Sequence, residues 1–397
     1  MIKIGFLLYN NGQYGGVEKR VANIMKWLAN NRNFEIYSYL SDRMYEWFLK
    51  QGFSFSENIH FDFYKDNKKD LVLDSNNVNN RNKHLYILKN TKLWAKLRYL
   101  KSIIKKSKDI RKWVKNNNIN VVHSLHAGGE LTLQFFLTKK VKTIYSIVDS
   151  SANNGAPLQW IGNLSYRSVF KFTDTLEFLS KGVYEEYSKI GAKINCEKIK
   201  ISPCSFIDYT KTEIKEKDPL FITFAASRFE KAKNPILAVR AANILINKYN
   251  KTNSKFLLMG GKHEEIKVRE LINSCNLSKN ISVKYVHNVV DYLKTSLIFL
   301  SIQQVNNYPS QSLLEAMACG NAIVATDVGE TRKLVNEEVG FLVKPDAEEI
   351  AEAIKYLLEN PEKAKGMGHK AREKVLNEHT IEKYANYLIN LYNNVLK

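Results

Sequence analysis

The stretch LIFLSIQQVNNYPSQSLLEAMACGNAIVATDV, residues 297–328, contains the elements of an α/β protein in their usual order. The apolar runs at its two ends have the length and the β-branched content of buried strands. Between them, a polar turn leads into a short apolar helix. Ser310 is its expected N-cap, and Cys319-Gly320 marks its expected end. The stretch therefore predicts strand, loop, helix and strand.

One carboxylate, Glu315, lies inside this helix among Leu, Ala and Met side chains. The residues alone leave two interpretations open. Ser312 and Glu315 have the spacing of a capping box, in which the glutamate accepts a hydrogen bond from a backbone N–H. Alternatively, Glu315 accepts hydrogen bonds from a ribose diol, while the N–H groups of the first helical turn hold phosphates.

Short apolar runs alternate with helical patterns along the whole chain. The runs are mostly continuous, which is typical of strands buried on both faces in parallel sheets. Besides 297–302 and 322–328, strands are expected at 2–9, 34–40, 120–125, 142–148, 175–180, 199–204, 220–227, 255–260, 281–286 and 340–344. With six strands in each half, the sequence predicts an α/β protein of two Rossmann-like, doubly wound parallel-sheet domains that face each other across a cleft.

Four segments follow from this pattern. We expect an N-terminal domain over 1–207 and a C-terminal domain over 220–378. Residues 208–219, DYTKTEIKEKDP, are the expected linker, because they are polar and end in proline. The helical tail 379–397 is a candidate to cross back to the N-terminal domain. Residues 61–90 are polar and rich in asparagine, and we expect them to form a long insertion or loop.

The composition bounds the class of protein. The 397-residue chain is 44% hydrophobic and 25% charged, which suits a globular protein of two or three domains. No apolar run reaches the roughly 18 residues of a membrane span, and the apolar start is too short for a signal peptide. The four cysteines have neither metal spacing nor a paired arrangement. We therefore expect a cytoplasmic protein without a metal site.

Two further strand-to-helix connections carry groups suited to an anion. Gly12, Gly15 and Gly16 follow the first strand and precede an amphipathic helix, so that backbone N–H groups could approach a phosphate. Their spacing is not that of the dinucleotide fingerprint, which disfavours a nicotinamide cofactor. An ordinary tight turn is the alternative.

The other connection carries two cations. Arg228 and Lys233 lie five residues apart, between a strand and a helix that Asn234-Pro235 opens. Two cations beside a helix N-terminus are suited to clamp a diphosphate. Solvated surface cations are the alternative, since lysines such as Lys231 are common in this chain.

Together, the three connections resemble the motifs of glycosyltransferase family 4 (group 1), the retaining nucleotide-sugar transferases of GT-B fold, of the bacterial polysaccharide-biosynthesis type. Residues 15–18, GGVE, correspond to the family's Gly-Gly-x-Glu loop. Arg228 and Lys233 correspond to its Arg and Lys five residues apart, and EAMACG at 315–320 to its Glu-Ala-Met-Ala-x-Gly run. The resemblance covers essentially the whole chain.

The resemblance implies that the C-terminal domain holds a nucleotide-diphosphate sugar and that the N-terminal domain binds the acceptor. It implies catalytic roles for Arg228, Lys233 and His126, for which an ordinary loop histidine is the alternative; His123 is expected in the core. The implied donor-binding residues are Gly15, Gly16, Arg228, Lys233, Asn307, Ser310, Gln311, Ser312 and Glu315. No cofactor or metal is implied, because the two cations would stabilise the departing diphosphate.

One position departs from the family pattern. Where members carry the first of two acids eight positions apart, this chain has Asn307. In the family that acid typically hydrogen-bonds the donor sugar, and an amide can still donate and accept hydrogen bonds. We expect donor binding to persist with altered sugar contacts. A degenerate transferase that acts as a binding partner is the alternative.

The net charge of +20 is concentrated in the first half of the chain. Residues 81–115 carry thirteen basic side chains against one acid, and 92–115 show one apolar helical stripe. A solvated surface helix, an interfacial helix on anionic lipid and a nucleic-acid-binding helix are the three interpretations. The resemblance favours the membrane. The expected membrane contacts are Lys92, Trp94, Lys96, Arg98, Lys101, Lys105 and Lys106.

The resulting hypothesis is a metal-independent, retaining glycosyltransferase at the inner face of the cell membrane. It would move a hexose or N-acetylhexosamine from a UDP- or GDP-sugar to a saccharide acceptor, expected to be lipid-linked, in cell-surface polysaccharide synthesis (capsule, O-antigen, lipopolysaccharide or exopolysaccharide). The alternatives are a nucleotide-sugar epimerase of the same fold and a nucleic-acid-binding protein that uses the basic half. On the preferred hypothesis, no nucleic-acid partner is expected.

Overall fold

The computed structural model describes residues 1–8, 14–64, 92–125, 141–148, 169–188, 194–205, 207–286 and 288–397; within them, the side chains of 92–100, 102 and 103 are not described. These residues form two compact units. The first comprises 1–202 and 385–397, and the second comprises 203–384. The C-terminal segment therefore belongs to the first unit.

The first unit is built on a parallel sheet, in which the described strands follow the order β3-β2-β1-β4-β5-β6-β7. The strands are β1 (Ile2–Leu8), β2 (Phe34–Ser41), β3 (Ile59–Tyr64), β4 (Val121–Leu125), β5 (Lys142–Ile147), β6 (Thr175–Phe178) and β7 (Ile199–Ile201). In the centre, Ile4 of β1 pairs with Ile36 on one side and Val121 on the other. The six strands predicted for this half are confirmed.

The helices described in this unit's first segment are α1 (Gly16–Ala29), α2 (Asp42–Lys50), α3 (Lys92–Asn117) and α4 (Lys181–Ser188). The C-terminal half of α3 buries Ile110, Trp113 and Val114 against the sheet. Gly5 of β1 makes room for this contact, since a Cβ there would lie 2.7 Å from Trp113 Cη2. The apolar side chains of α3 thus face the core from Ile110 onward, whereas Ile104 of the predicted stripe is 42% exposed.

The edge strand β3 is not among the predicted strands, and the prediction of a loop from residue 61 is wrong for 61–64. Its side chains alternate instead of forming a continuous apolar run. Phe61 and Phe63 contact Tyr45 of α2 on one face. On the other face, Asp62 accepts a hydrogen bond from the Trp113 indole (2.9 Å). Period-two alternation is the pattern of a strand with two different faces. It was missed because the polar residues that follow led the prediction to assign 61–64 to a loop.

A polar cluster lies in the middle of this sheet. His123 of β4 is fully buried, which confirms its predicted place in the core. Its Nε2 lies 2.6 Å from Ser146 Oγ of β5, and its Nδ1 lies 2.8 Å from the hydroxyl of Tyr392, in the C-terminal helix. Ser146 in turn donates a short hydrogen bond to Glu177 of β6. These contacts join the C-terminal helix to three strands.

The second unit is built on another parallel sheet, of order β10-β9-β8-β11-β12-β13. Its strands are β8 (Asp218–Ala225), β9 (Lys255–Met259), β10 (Ile281–Lys284), β11 (Ser296–Ser301), β12 (Ala322–Thr326) and β13 (Gly340–Val343). All six strands predicted for this half are confirmed. They are largely buried, as expected for parallel strands covered by helices on both faces.

The helices of the second unit are α5 (Pro235–Asn243), continued by a π-helical turn (Ile244–Lys248), α6 (Glu265–Ser274), α7 (Val290–Leu293), α8 (Gln311–Ala318), α9 (Ala347–Glu359) and α10 (Pro361–Glu378). The C-terminal helix α11 (Ile381–Leu396) lies mostly in the first unit. Helix α8 ends as predicted, with Gly320 in the left-handed region (φ +74°). Lys217 Nζ donates to the Cys319 carbonyl (2.7 Å), and Arg372 donates to the Ala318 carbonyl. These two cations satisfy the end of a helix whose last six residues are buried.

The expected linker, 208–219, contains structure that belongs to the second unit. The Asp208 carboxylate accepts a hydrogen bond from the Thr210 N–H (3.1 Å) and opens a 3₁₀ turn, Tyr209–Lys211. Tyr209 is buried in the core that also holds α8. Within the described part of the chain, no helix combines the length and apolar character that a membrane span requires.

Candidate functional site

In the second sheet the strand order reverses between β8 and β11, which leaves a crevice at the carboxyl ends of these strands. Hydrogen bonds tie the connections around it together. The N–H of Gln304, after β11, donates to the carbonyl of Ala232, after β8 (3.0 Å). Gln303 and Thr326, at the end of β12, exchange two hydrogen bonds of 2.8 Å through the threonine hydroxyl. The ends of three strands therefore form one bonded surface.

The connection after β8 carries both predicted cations. Arg228 is half-buried, and its Nε donates to Glu230 (2.9 Å). Lys233 ends a 3₁₀ turn directly before Asn234, whose left-handed backbone (φ 53°) leads into α5 at Pro235. Burial lowers the pKa of Lys233 to about 8; the charge of Glu230 opposes this effect, and that of Arg228 adds to it. An anion bound next to Lys233 would favour the charged form of the lysine and so raise its pKa again.

The connection after β9 supports this loop from the other side. The Phe229 N–H donates to the Gly261 carbonyl (2.9 Å), and the Glu264 N–H donates to the Phe229 carbonyl (3.0 Å). Gly260 has φ +151°, and a Cβ there would lie 1.9 Å from the Ala226 carbonyl oxygen. Only glycine permits this close approach, so the position of Arg228 depends on it.

Helix α8 follows the connection that Gln304 bonds to the loop with these cations. Ser310 is its N-cap, as predicted, and its backbone is extended (φ −89°, ψ 118°), although its side chain makes no capping hydrogen bond. The first i→i−4 bond runs from the Leu314 N–H to the Ser310 carbonyl (3.1 Å). The N–H groups before Leu314, in the first turn of α8, have no acceptor within the helix and point out of its N-terminus. They are the groups that an anion would contact.

Glu315 is buried in α8 at 8% exposure. A capping box needs its acid at the third helical position, whereas Glu315 is the fifth, counted from Gln311. The capping-box interpretation of Ser312 and Glu315 is therefore wrong. Instead, Gln311 Nε2 donates to Glu315 Oε1 (2.7 Å), one helical turn away.

Asn307 is half-buried in the connection between β11 and α8. Its neighbour Asn306 holds that connection in shape. Asn306 Oδ1 accepts hydrogen bonds from the N–H of Tyr308 and from the N–H of Glu330, after β12 (3.2 Å each). Gly329 packs so closely that a Cβ there would lie 2.5 Å from Asn306. Asn306 thus fixes the backbone on which Asn307 is presented.

The sequence patterns did not single out Asn306, Gln303 or Thr326. All three act through side chains or backbone groups that meet across loops, and no local spacing marks such partners. The signal that was present is composition: QQVNN places four amides directly after a buried strand, and short amide side chains commonly bond nearby backbone.

Gly15 and Gly16 lie in the first unit, at the start of α1. Gly15 is the N-cap, and its N–H donates to the Glu18 carboxylate (2.6 Å). A Cβ on Gly15 would meet no atom of the described residues within 4 Å, so none of them requires a glycine there. Glu18 is buried, and its carboxylate occupies the helix end where the prediction places a phosphate.

The remaining predicted residues are placed only in part. His126 lies outside the described residues. Lys92, Trp94, Lys96 and Arg98 lie on the α3 backbone, with side chains outside the description. Lys101 and Lys105 are exposed and Lys106 is half-buried. Among the described residues, no group of three or more His, Cys, Asp or Glu side chains is arranged to hold a metal ion.

The span that forms this site matches a known family. Residues 207–374 match the model for glycosyl transferases group 1. The matched span contains Arg228, Lys233, Asn307 and Glu315 and lies within the second unit. It covers less than half of the chain.

Curated relatives extend beyond this span. The N-acetyl-alpha-D-glucosaminyl L-malate synthase of Bacillus anthracis is 26% identical over 174 residues, which cover 43% of this chain and 45% of the relative. The N,N'-diacetylbacillosaminyl-diphospho-undecaprenol alpha-1,3-N-acetylgalactosaminyltransferase of Campylobacter jejuni is 25% identical over 262 residues, 60% of this chain and 65% of the relative. The chain thus spans under half of the first relative's length and just under two thirds of the second's.

Solved structures resemble the chain over nearly its whole length. The sucrose-phosphate synthase of Thermosynechococcus elongatus has a TM-score of 0.77 at 15% identity and covers 100% of this chain and 99% of its own. The Anabaena protein HepE in complex with UDP-glucose has a TM-score of 0.73 at 14% identity and covers 99% and 100%. The predicted fold class is confirmed: two Rossmann-like parallel-sheet units whose structural neighbours are glycosyltransferases of GT-B fold.

Proposed function

We propose that the protein is a retaining glycosyltransferase that takes a sugar from a nucleoside-diphosphate donor held by the second unit. One observation carries the proposal. The loop with Arg228 and Lys233 is hydrogen-bonded, through Ala232 and Gln304, to the connection that leads into α8. Two cations and a helix N-terminus therefore share the crevice where the strand order reverses, which is where open α/β sheets bind ligands.

The donor's parts fit the groups in this crevice. The diphosphate would accept hydrogen bonds from Arg228, Lys233 and the N–H groups of Ser310, Gln311 and Ser312. Glu315, one turn into α8, would accept hydrogen bonds from the ribose hydroxyls. Asn307 would contact the sugar, with an amide that both donates and accepts.

Departure of the nucleoside diphosphate is the step that this site would accelerate. As the glycosidic bond breaks, negative charge grows on the diphosphate, and the half-buried Lys233 and Arg228 would stabilise it more strongly than solvated cations could. We propose that these two cations supply the charge without a metal ion. Transfer that is unaffected by EDTA would support this, and restoration of lost activity by Mg²⁺ or Mn²⁺ would contradict it.

The substrate classes rest on the relatives. We propose a hexose or N-acetylhexosamine as the transferred sugar, UDP or GDP as its carrier and a saccharide acceptor, lipid-linked, in cell-surface polysaccharide synthesis. The names of the Bacillus and Campylobacter relatives include N-acetylhexosaminyl groups, and the latter includes diphospho-undecaprenol. The HepE structure contains UDP-glucose. A cytoplasmic protein at the inner face of the membrane fits such an acceptor.

Helix α3 is the proposed membrane contact. Its C-terminal half buries an apolar stripe, and its other faces expose Lys101, Ile104 and Lys105. Cations around one exposed apolar side chain suit an anionic lipid surface. Lys101→Glu with Lys105→Glu should abolish sedimentation with phosphatidylglycerol vesicles, while Lys365→Glu with Lys370→Glu on α10 should not. Binding to DNA in place of vesicles would favour the nucleic-acid alternative.

The decisive test targets the cations. Thermal-shift assays with UDP, GDP and their sugars identify the carrier, since a ligand at 100 times its Kd adds about 2.7 kcal/mol of stability. Arg228→Ala with Lys233→Ala should then lower transfer by about 100-fold or more. Lys231→Ala is the matched control, because Lys231 is an exposed lysine on the same loop. Unchanged transfer in the double variant would refute the proposal.

A further inference from the structure

The side chain of Gln311 makes a contact of its own, separate from the predicted phosphate-binding role of its backbone N–H. Its amide lies over α8 and donates from Nε2 to Glu315 Oε1 at 2.7 Å. A carboxylate can only accept, so this contact sets the orientation of the amide and turns Oε1 away from Glu315. The hydrogen bond is partly buried, with Glu315 8% exposed and Gln311 of intermediate exposure.

The other end of the same amide is unsatisfied. Gln311 Oε1 is buried and has no hydrogen-bond partner among the described residues. Buried acceptors in native proteins are almost always paired, and an exception calls for an explanation. A ligand hydroxyl next to Glu315 would supply the missing donor.

A ribose presents two such donors on adjacent carbons. A carboxylate has two acceptor oxygens, but Glu315 Oε1 already accepts a hydrogen bond from Gln311 Nε2. Gln311 Oε1 therefore adds an acceptor for the second hydroxyl. The hydrogen bond between the two side chains also restrains the Glu315 rotamer before the ligand arrives, which reduces the entropy lost on binding.

We infer that Gln311 is a specificity-determining residue for the ribose, with Nε2 orienting the Glu315 carboxylate and Oε1 accepting a hydrogen bond from one ribose hydroxyl. The inference rests on the proposed function, since it needs a nucleoside diphosphate at this site. It adds a role for a side chain that the sequence implicates only through its backbone N–H.

The test compares ribose with deoxyribose. Calorimetry measures the Kd of UDP or GDP, whichever the wild-type protein binds, and of its 2′-deoxy and 3′-deoxy forms. In the wild type, loss of the hydroxyl that faces Gln311 should weaken binding about tenfold, as for a lost hydrogen bond to a buried acceptor. In Gln311→Leu and Gln311→Met, that ratio should fall to about twofold. Gln311→Asn keeps the amide but shortens its reach, and it serves if the apolar variants do not fold.

Three outcomes separate the possibilities. Collapse of the ratio in the Gln311 variants, but not in Gln51→Met, a control in the first unit, supports the inference. If wild type binds the diphosphate, Glu315→Gln weakens binding and the Gln311 variants keep the wild-type ratio, the inference is overturned and the proposed function stands. If the wild-type protein binds no nucleoside diphosphate, both the inference and the proposed function are refuted. A purely structural role of Gln311 would alter melting temperature without changing the ratio.

Discussion

Each unit buries a glutamate, and the surroundings of the two carboxylates differ. Glu177 lies in the middle of the first sheet, next to Ser146, His123 and the charge of Arg20. Glu315 lies in α8, at the carboxyl ends of the second sheet, where Gln311 donates a hydrogen bond that brings no positive charge. The first carboxylate is compensated within its unit by groups on several elements, whereas the second accepts a hydrogen bond from an uncharged neighbour on its own helix.

The difference separates a structural role from a binding role. Burial by itself raises the pKa of Glu177, but hydrogen bonds from His123 and Ser146 and the charges of Arg20 and His123 lower it below its ordinary value. Compensation of this kind makes a buried carboxylate part of the fold. At the strand ends of the second unit, a half-buried lysine and an unsatisfied amide oxygen remain, and these are groups that a ligand would complete.

The largest expected effect comes from neutralising Glu177. Glu177→Gln removes a buried carboxylate that the charges of Arg20 and His123 stabilise, and we expect a loss of about 3–5 kcal/mol from the free energy of unfolding. Urea denaturation followed by circular dichroism measures it. Glu185→Gln, on the exposed face of α4, should change the value by less than about 0.5 kcal/mol. A loss no larger than this control would mean that the cluster is not what holds the first unit.

The same substitution at Glu315 should act on binding instead. Glu315→Gln removes the charged acceptor, and affinity for the nucleoside diphosphate should fall about 10- to 100-fold, as for a lost charge-assisted hydrogen bond. The free energy of unfolding should change by less than about 1 kcal/mol, because the amide oxygen of glutamine can still accept the hydrogen bond from Gln311 Nε2. Calorimetry and urea denaturation on one preparation check both. A loss of stability as large as that of Glu177→Gln would show that Glu315 has a structural role, as Glu177 does.

Lys233 predicts a pH dependence of donor binding. Its pKa is about 8 in the free protein. The charged groups next to it are Arg228 and Glu230, and the titratable side chain of His263 lies 3.9 Å from Glu230. A diphosphate raises that pKa, so binding takes up a proton once the free lysine has lost it. Affinity should be constant below about pH 7 and fall by up to about tenfold per unit above pH 8. Lys233→Arg should remove the dependence, and a fall that persists in that variant would assign it elsewhere.

The smallest expected effect is at Tyr392. Tyr392→Phe removes the hydroxyl next to His123 Nδ1 and should cost about 1 kcal/mol of unfolding free energy. Nucleoside diphosphate binding should not change, since Tyr392 belongs to the first unit. Thermal and urea denaturation measure the loss. An increase in stability would indicate that the cluster in the first sheet strains the fold.

Much of this site was predictable because it lies at strand ends. Continuous apolar runs marked β8, β11 and β12, and the residues that follow them, including Arg228, Lys233 and Ser310, could be assigned to connections from the amino-acid pattern alone. The role of Glu315 could not be decided in this way. Its spacing to Ser312 fitted a capping box even though Ser310 was the expected N-cap. The structure excluded the capping box by confirming Ser310 as the N-cap and showing Glu315 bonded to Gln311.

The sequence by itself determined the class of fold, the strand boundaries to within a few residues and the loops that carry the candidate site. It could do so because burial on both faces of a parallel sheet leaves a local apolar pattern. Tertiary structure decided the rest: β3 at the sheet edge, Tyr392 beside His123, and Asn306 between two loops. These depend on hydrogen bonds and ring contacts between residues 16 to 269 positions apart, and no local periodicity records which distant partner a side chain will find.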